Sequence, residues 1–350
     1  MPIRLRRPEV KKQMNPMGTT RLFNLLPLKS LTVLMVFGGL LMSNTFAQSP
    51  SKEEFPDRPV KLVVPYAPGG PTDIIARLLS QKLTTLWGQA VIVDNRPGAS
   101  GNTGTAQVAK SKPDGYTILL NTSSVAVNTS LFINPGYNLE KDFVGIANVA
   151  STPNIFVAGS SLQEKNLKDA LEASKSGKYN YASPGDGTTP HLSAEYLFKV
   201  LAKVPVAHIP YKGAGPAVNA ALTGEVQFAS VAVPAASQLI VGGQLRGLAV
   251  TSSKRIASLP NVPTVAEYGF TGFEDYTWVG VFVPKGTPQS LINKLNSDIN
   301  KISQQEDFKD RLATLGFEGV GGSVEQFNKY LQVESLKWSK VVKEIGITPQ

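Results

Sequence analysis

The feature that most constrains this chain is the stretch VVPYAPGGPTDIIARLL, residues 63–79. A β-branched run ends in a proline- and glycine-dense elbow, and an apolar pattern of helical period begins with no spacer. Pro71 has a fixed φ and no N–H, which suits the first position of a helix, with Gly70 as N-cap. Gly69 and Gly70 allow backbone angles that other residues avoid and leave no Cβ over the helix end. Asp73 falls where a carboxylate meets the positive helix terminus, and Arg77 lies one turn further on, at ion-pair spacing. Free N–H groups at such an end suit an anion.

The same order of strand, elbow and helix continues along the chain. VKLVVPY, AVIVDN, YTILLNT, NYAS, VPVAHIPY and EVQFASV read as strands, and the segments after them carry helical periods or loops. Alternation of this kind predicts an α/β fold of parallel strands with helices on both faces. Open parallel sheets hold ligands outside the carboxyl ends of their strands, so the junctions are where a site is expected. PYAPGGP and PYKGAGP share the spacing P-Y-x-x-x-G-P, at Pro65-Tyr66 with Gly70-Pro71 and at Pro210-Tyr211 with Gly215-Pro216. A variant, YASPGDGTTPHLSAEY, has Gly185 and Gly187 in its loop, with Thr189 as expected N-cap and Pro190 at the first helical position. A fourth loop, NRPGASGNTG, offers Gly98, Gly101 and Gly104. Several such elbows suggest a site lined by backbone donors.

Other chemistries find little support. The chain has no cysteine, which removes disulfides, thiolate metal sites and cysteine nucleophiles. Two histidines, His191 and His208, are too few for a multi-histidine metal site. G-x-x-x-x-G-K-[ST] and G-x-S-x-G are absent, GASGNTG has the wrong spacing for a dinucleotide loop, and GDGTTP places Pro190 where its third glycine belongs. His191 falls in the first turn of a helix, where it either reaches a ligand or serves the cap; His208 sits within an apolar strand. Tyr66, Tyr211 and Trp278 lie near loop or strand ends, as ligand walls or as core.

The first 47 residues are a different kind of sequence. Seven basic residues precede the apolar run LTVLMVFGGLLM, residues 31–42, and SNTFAQSP then places Thr45 and Ala47 two apart. This is the order of a secretory signal, with cleavage expected near Ala47. Twelve apolar residues are short for a membrane span, which needs about 20. The whole chain carries a formal charge of +9, from 35 basic and 26 acidic residues. Seven of the basic and one of the acidic residues lie before position 48, so the remainder has 28 against 25, a net +3. The basic excess therefore belongs largely to the leader, and nucleic-acid binding loses its main compositional support.

Taken in order, FPDRPVKLVVPYAPGGPTDIIAR, NRPGASGNTG, KPDGYTIL, YASPGDGTTPHLSAE, IPYKGAGPA, GGQLRGLAVTSSKRIASLPNVPTVAEYGF, WVGVFVPKGTP and KWSKVVKEIGI resemble the Bug family, the periplasmic solute-binding receptors of tripartite tricarboxylate transporters. The resemblance spans nearly all of the chain after the leader. It implies a two-lobed α/β periplasmic binding protein (type II-like), each lobe a mostly parallel sheet flanked by helices, joined by two crossovers. Residues 56–155 and 276–350 are expected to form one lobe and 156–275 the other. The implied function is capture of a small carboxylate in the cleft between them, without catalysis, metal or cofactor, and delivery to membrane permease subunits, by a monomer in the periplasm.

Carried onto this chain, the expected ligand-binding residues are Tyr66, Pro68, Gly69, Gly70 and Asp73 at the first junction and Gly98 and Ala99 at the second. In the other lobe they are Ser183, Gly187, Thr188, Thr189, His191, Tyr211, Lys212 and Gly213, with Trp278 on the return strand. The chain departs from the family pattern at Ala220, Gln227 and Val231, where acidic residues are common, so a dicarboxylate, an aromatic acid and an amino acid all stay open as ligands. A secreted α/β enzyme, a hydrolase or isomerase acting on a carboxylated substrate, is the alternative reading.

Overall fold

The structure, a computed structural model, describes residues 55–69 and 71–349; the leader and Gly70 lie outside the described residues. Ten strands among the described residues form one sheet: β1 (Val60–Val64), β2 (Val91–Asn95), β3 (Thr117–Thr122), β4 (Phe143–Ala158), β5 (Asn180–Ser183), β6 (Ala207–Pro210), β7 (Phe228–Ala232), β8 (Arg246–Val250), β9 (Tyr276–Pro284) and β10 (Glu318–Gly321). Their order is β2-β1-β3-β9-β4-β7-β5-β6, with β8 and β10 also paired to β4.

The first junction shows how the sequence builds this arrangement. β1 is apolar at Leu62, Val63 and Val64, all fully buried, because both faces of the strand are covered. Leu62 and Val64 point into one core with Ile75, Leu79 and Leu83, while Val63 points into another with Leu119, Trp278, Phe282 and Phe327. The helix Pro71–Trp87 returns over the sheet because Thr72, Ile75, Ala76, Leu79 and Leu83 make one buried stripe at three- and four-residue spacing.

The sheet has two parallel blocks. β1 runs parallel to both β2 and β3, and β5 runs parallel to both β6 and β7. The long strands complete each block by antiparallel pairing: β9 lies between β3 and β4, and β4 pairs with β7 and β8. β4 changes partners along its 16 residues, facing β9 as far as Pro153 and β7 and β8 from Asn154 onward. A single strand about 50 Å long thus runs through both halves. The second half has its own cores on the two faces of its sheet, one around Phe156, Tyr181, Phe198 and Phe228, the other around Ile155, Val157, Val231 and Val250.

The two P-Y-x-x-x-G-P elbows do not occupy equivalent places. Pro65 follows β1, the inner strand of its block, whereas Pro210 ends β6, an edge strand. Pro71 is the first residue of its helix, but the helix Ala214–Thr223 begins two residues before Pro216. At the third junction the N-cap is Thr188 rather than Thr189, and Pro190 follows one residue inside the helix Thr189–Glu195. The Thr188 side chain accepts from the His191 N–H, which sets the helix phase one residue earlier than Pro190 alone suggests.

Candidate functional site

The carboxyl ends of β1, β2 and β3 face those of β5 and β6, and their loops meet. The first loop is held from below. Asp73, 2% exposed, accepts from the Gly69 N–H (2.9 Å), Arg77 Nε (2.8 Å) and Asn95 Nδ2 (3.0 Å). Burial opposes its charge, but the hydrogen bonds from Arg77, Gly69 and Asn95 outweigh it and hold the carboxyl below its ordinary range. Its oxygens are committed to the loop, so Asp73 shapes the elbow and offers nothing to an anion. Gly69 takes φ +85°, and a Cβ there would meet nothing within 4 Å. Tyr66 Oη bonds Asn121 Oδ1 (3.0 Å) and Thr122 Oγ1 (2.8 Å), fixing its ring across the end of β3.

The second loop carries a backbone signal that the letters do not show. Gly98, Ala99, Ser100 and Gly101 have φ of 137°, 46°, 55° and 90°. Two consecutive non-glycine residues on the left-handed side cost about 1–2 kcal/mol each, and such strain concentrates at functional sites. The geometry is held from outside by Asn128 Nδ2, which donates to the Ser100 carbonyl (2.9 Å), and from within by the Gly101 N–H, which donates to that of Gly98 (3.0 Å). A Cβ on Gly101 would lie 3.2 Å from Tyr66 Oη, so the first two loops pack at glycine distance.

On the opposing side, residues 184–188 rest on a column of three rings. His191 stacks on His208 (4.1 Å between centroids, 23°), and His208 on Tyr181 (4.8 Å, 28°). The Gly187 N–H donates to His191 Nδ1 (3.3 Å), His208 Nε2 bonds Ser183 Oγ (2.7 Å), and Ser183 Oγ accepts from the Gly185 N–H (3.2 Å). His208 Nδ1 lies 3.5 Å from Asp186 Oδ1. Burial first, and then the Lys199 cation, lowers the His191 pKa to about 4; burial, then His191 itself, lowers that of His208 to about 3. Asp186 is pushed up by burial and by the Glu195 charge. Both rings are therefore neutral.

The two sides touch directly. Ser100 Oγ donates to the Asp186 carbonyl (3.0 Å), and Ser123 Oγ lies 3.2 Å from Thr189 Oγ1. Thr189 Oγ1 in turn meets Thr277 Oγ1 (2.8 Å), whose hydroxyl donates to Asn154 Oδ1 (2.8 Å), so a polar chain runs from the junctions to the strands that join the halves. A Cβ on Gly187 would stand 2.7 Å from Asn128 Oδ1 and from Leu131 Cδ2. The next loop leans on this one: the Tyr211 and Gly213 N–H groups donate to the carbonyls of Ser183 and Pro184 (both 3.0 Å).

Of the residues singled out from sequence, Tyr66, Gly69, Gly98 and Ala99 lie on one side, and Ser183, Gly187, Thr188, Thr189, His191, Tyr211, Lys212 and Gly213 on the other. Pro68 and Lys212 are exposed, and Tyr211 Oη turns to Glu225 Oε1 (2.7 Å). His191 lies beneath its loop, 5% exposed. Trp278 is placed elsewhere: fully buried, it packs against Phe282, Phe327 and Tyr330, and its indole N–H donates to Glu334 Oε2 (3.1 Å). It walls no cleft. Ser100, Asn128, Asp186 and Thr277 also lie here, although nothing in their letters distinguishes them from loop and helix surface. Only the left-handed Ser100 had a neighbouring cue, the flanking Gly98 and Gly101.

Two constellations here invite stronger chemistry. Ligand atoms of Asp186, His191 and His208 lie within 4.8 Å of one another, a spacing compatible with a metal ion. A metal binds in the plane of an imidazole, however, and rings stacked at 4.1 Å cannot both place one ion in plane. The nitrogens His191 Nδ1 and His208 Nε2 are also already hydrogen-bonded. Ser183, His208 and Asp186 have the order of a nucleophile, base and orienting acid, but inverted with respect to access. Ser183 is fully buried while the Asp186 side chain is 45% exposed, and the stacked His208 is held too acidic to act as a base near neutrality.

A fold of two α/β halves joined by long strands, with loops from each converging on one seam, is that of a periplasmic binding protein. The chain matches the model of the tripartite tricarboxylate transporter family receptor over residues 75–347, and it belongs to that family. It is 37% identical over 319 residues to Protein BugT of Bordetella pertussis, covering 90% of this chain and 97% of BugT. The solved structure of R. palustris Rpa4515 with adipate is 34% identical, with TM-score 0.80, covering 85% of this chain and all of that one. MatC (Rpa3494) from Rhodopseudomonas palustris with bound malate is 31% identical, with TM-score 0.77, covering 82% of this chain and all of MatC.

Proposed function

We propose that this protein is a non-catalytic periplasmic receptor that takes a small carboxylate into the seam between its halves and delivers it to membrane permease subunits. The observation that carries the reading is the convergence of the loops at residues 67–69, 98–101 and 184–188, joined by the bond from Ser100 Oγ to the Asp186 carbonyl. Family relatives bind adipate and malate, both dicarboxylates. The lobes in this reading are residues 56–155 with 276–350, and 156–275; the change of partner in β4 after Pro153 and the start of β9 at Tyr276 support those bounds. The ligand is held by loop groups at Tyr66, Gly69, Gly98, Ala99, Thr188 and Thr189, with Lys212 and Gly213 at the rim and Gly187 shaping the loop between them. The receptor acts as a monomer, after its leader is cleaved near Ala47. Among the described residues no helix is long and apolar enough to cross a membrane.

The test is a thermal-shift and calorimetric screen against adipate, malate, benzoate and aspartate. A ligand present at 100 times its Kd adds about 2.7 kcal/mol of stability, a shift of several degrees. The bound acid is then released by denaturation and weighed by mass spectrometry. Recovery of the unchanged acid is the expected result. Turnover of it would favour the enzyme reading, for which the Ser183–His208–Asp186 alignment is the one supporting observation. Absence of binding by every carboxylate would overturn the receptor reading.

A further inference from the structure

The histidine column is not consumed by that function, and it has a definite chemical requirement. A backbone N–H can only donate, so the bond from Gly187 requires an unprotonated Nδ1 on His191 and places the ring proton on Nε2. The ring is 5% exposed and pinned by stacking on His208, which holds the loop at two further points, directly toward Asp186 and through Ser183 to Gly185. The Gly187 N–H therefore turns inward, away from the seam, although the glycine-rich letters suggest a donor facing a ligand.

We propose that His191 is a positioning residue: its unprotonated Nδ1 holds the Gly187 amide and so sets residues 184–188 in the shape that meets the opposite side of the seam. The consequence for capture rests on the receptor reading; the consequence for the loop does not. In this shape Gly187 lies against Asn128 and Leu131, and the Asp186 carbonyl reaches Ser100. Protonation of His191 Nδ1 sets two donors against each other and frees the loop.

The charged and titratable groups around the column act on this state from each packed element. Glu195 and Lys199 follow His191 along its helix and pair with each other, Tyr181 on β5 donates to Glu195 Oε1 (2.7 Å), His208 comes from β6 and Asp186 from the loop. β7 presents the neutral Ser230, which donates to the Pro190 carbonyl (2.7 Å), and the helix Ser124–Leu131 presents Asn128.

The experiment uses the ¹⁵N-labelled chain without ligand. At pH 7 the His191 imidazole should show the Nε2–H tautomer, and the Gly187 amide should exchange slowly with solvent. His191→Leu should speed that exchange about tenfold, the loss of one hydrogen bond, with the Gly224 and Gly145 amides, bonded to Ala221 and Asn328, unchanged as controls. His191→Asn, whose Oδ1 stands near the place of Nδ1 and does not titrate, should restore protection. On acidification the Gly187 amide shift should follow the His191 titration in the native chain and stay flat in the Asn variant. A proton on Nδ1 at pH 7, or equal Gly187 exchange in the native, Leu and Asn forms, would overturn the proposal; if the Leu variant does not fold, the tautomer and the Asn variant decide it. With adipate as probe, His191→Leu should weaken binding about tenfold and His191→Asn restore it. If adipate does not bind the native chain, the receptor reading suffers and the loop result stands.

Discussion

Glycine and aspartate at the seam separate by what surrounds them. Gly69 and Gly187 both have positive φ, +85° and +72°, but open space surrounds the first, while Asn128 and Leu131 crowd the second. Gly69→Ala is therefore expected to cost only the left-handed penalty, about 1 kcal/mol, with ligand affinity nearly kept. Gly187→Val should hold the two sides apart and weaken binding a hundredfold or more, about 2.7 kcal/mol. Calorimetric titration of both folded variants checks the contrast, and equal affinities would contradict it. Asp73→Ala removes the acceptor shared by Gly69, Asn95 and Arg77 and should cost about 2–4 kcal/mol in urea unfolding. Since the folded state holds this carboxyl below its unfolded value, its contribution is present above about pH 4 and is lost as the pH falls further.

At the scale of elements, the ring column and the left-handed loop make separate predictions. Both histidines titrate lower in the folded chain than the 6.5 of a free imidazole, at about 4 and about 3. The unfolded chain takes up protons first on acidification, so stability is whole above about pH 6.5 and falls steadily toward pH 4. The loss reaches on the order of 5 kcal/mol by pH 4.5 for the two rings together, at about 1.4 kcal/mol per tenfold in proton affinity. Urea midpoints between pH 7.5 and 4.5 should show this slope, and His191→Asn should flatten part of it. In the loop, Ala99 stands at φ +46°, where glycine is at ease. Ala99→Gly is expected to stabilise by about 0.5 kcal/mol, although the same change in a helix destabilises. A drop in thermal midpoint would show that the left-handed run is not strained.

For the whole molecule, the strands that join the halves carry the expectation of how it would move. Asn154 on β4 donates to Asp275, just before β9, and Thr251 Oγ1 donates to the Asp275 carbonyl, so the two crossings are tied side by side. The Asp275 side chain is buried, and burial raises its pKa despite the nearby Lys337. Such a joint favours rotation of the halves about one line, as in hinged binding proteins. Small-angle scattering should show a smaller radius of gyration with a saturating carboxylate than without. Ser100→Ala, which removes the direct bond to Asp186, should enlarge the ligand-free form. An unchanged radius in both experiments would contradict hinged closure.

The sequence by itself determined the class of fold, because strand period, elbow and helix period are local properties written in adjacent residues. It also marked the junctions as the place where a site is expected, since strand ends and glycine elbows coincide at Gly69, Gly98 and Gly187. Tertiary structure decided what each letter does there. Identical P-Y-x-x-x-G-P elbows fall on an inner and an edge strand because pairing partners distant in the chain set strand order. Trp278 sits at a strand end in sequence and in the core in space, because β9 is flanked by β3 and β4 and roofed by Phe327 and Tyr330. His191 and His208, 17 residues apart, become a stack only when β5 and β6 align, and Ser100 meets Asp186 only when the halves come together. Those contacts depend on non-local packing and hydrogen bonding, for which no single stretch of the chain carries the information.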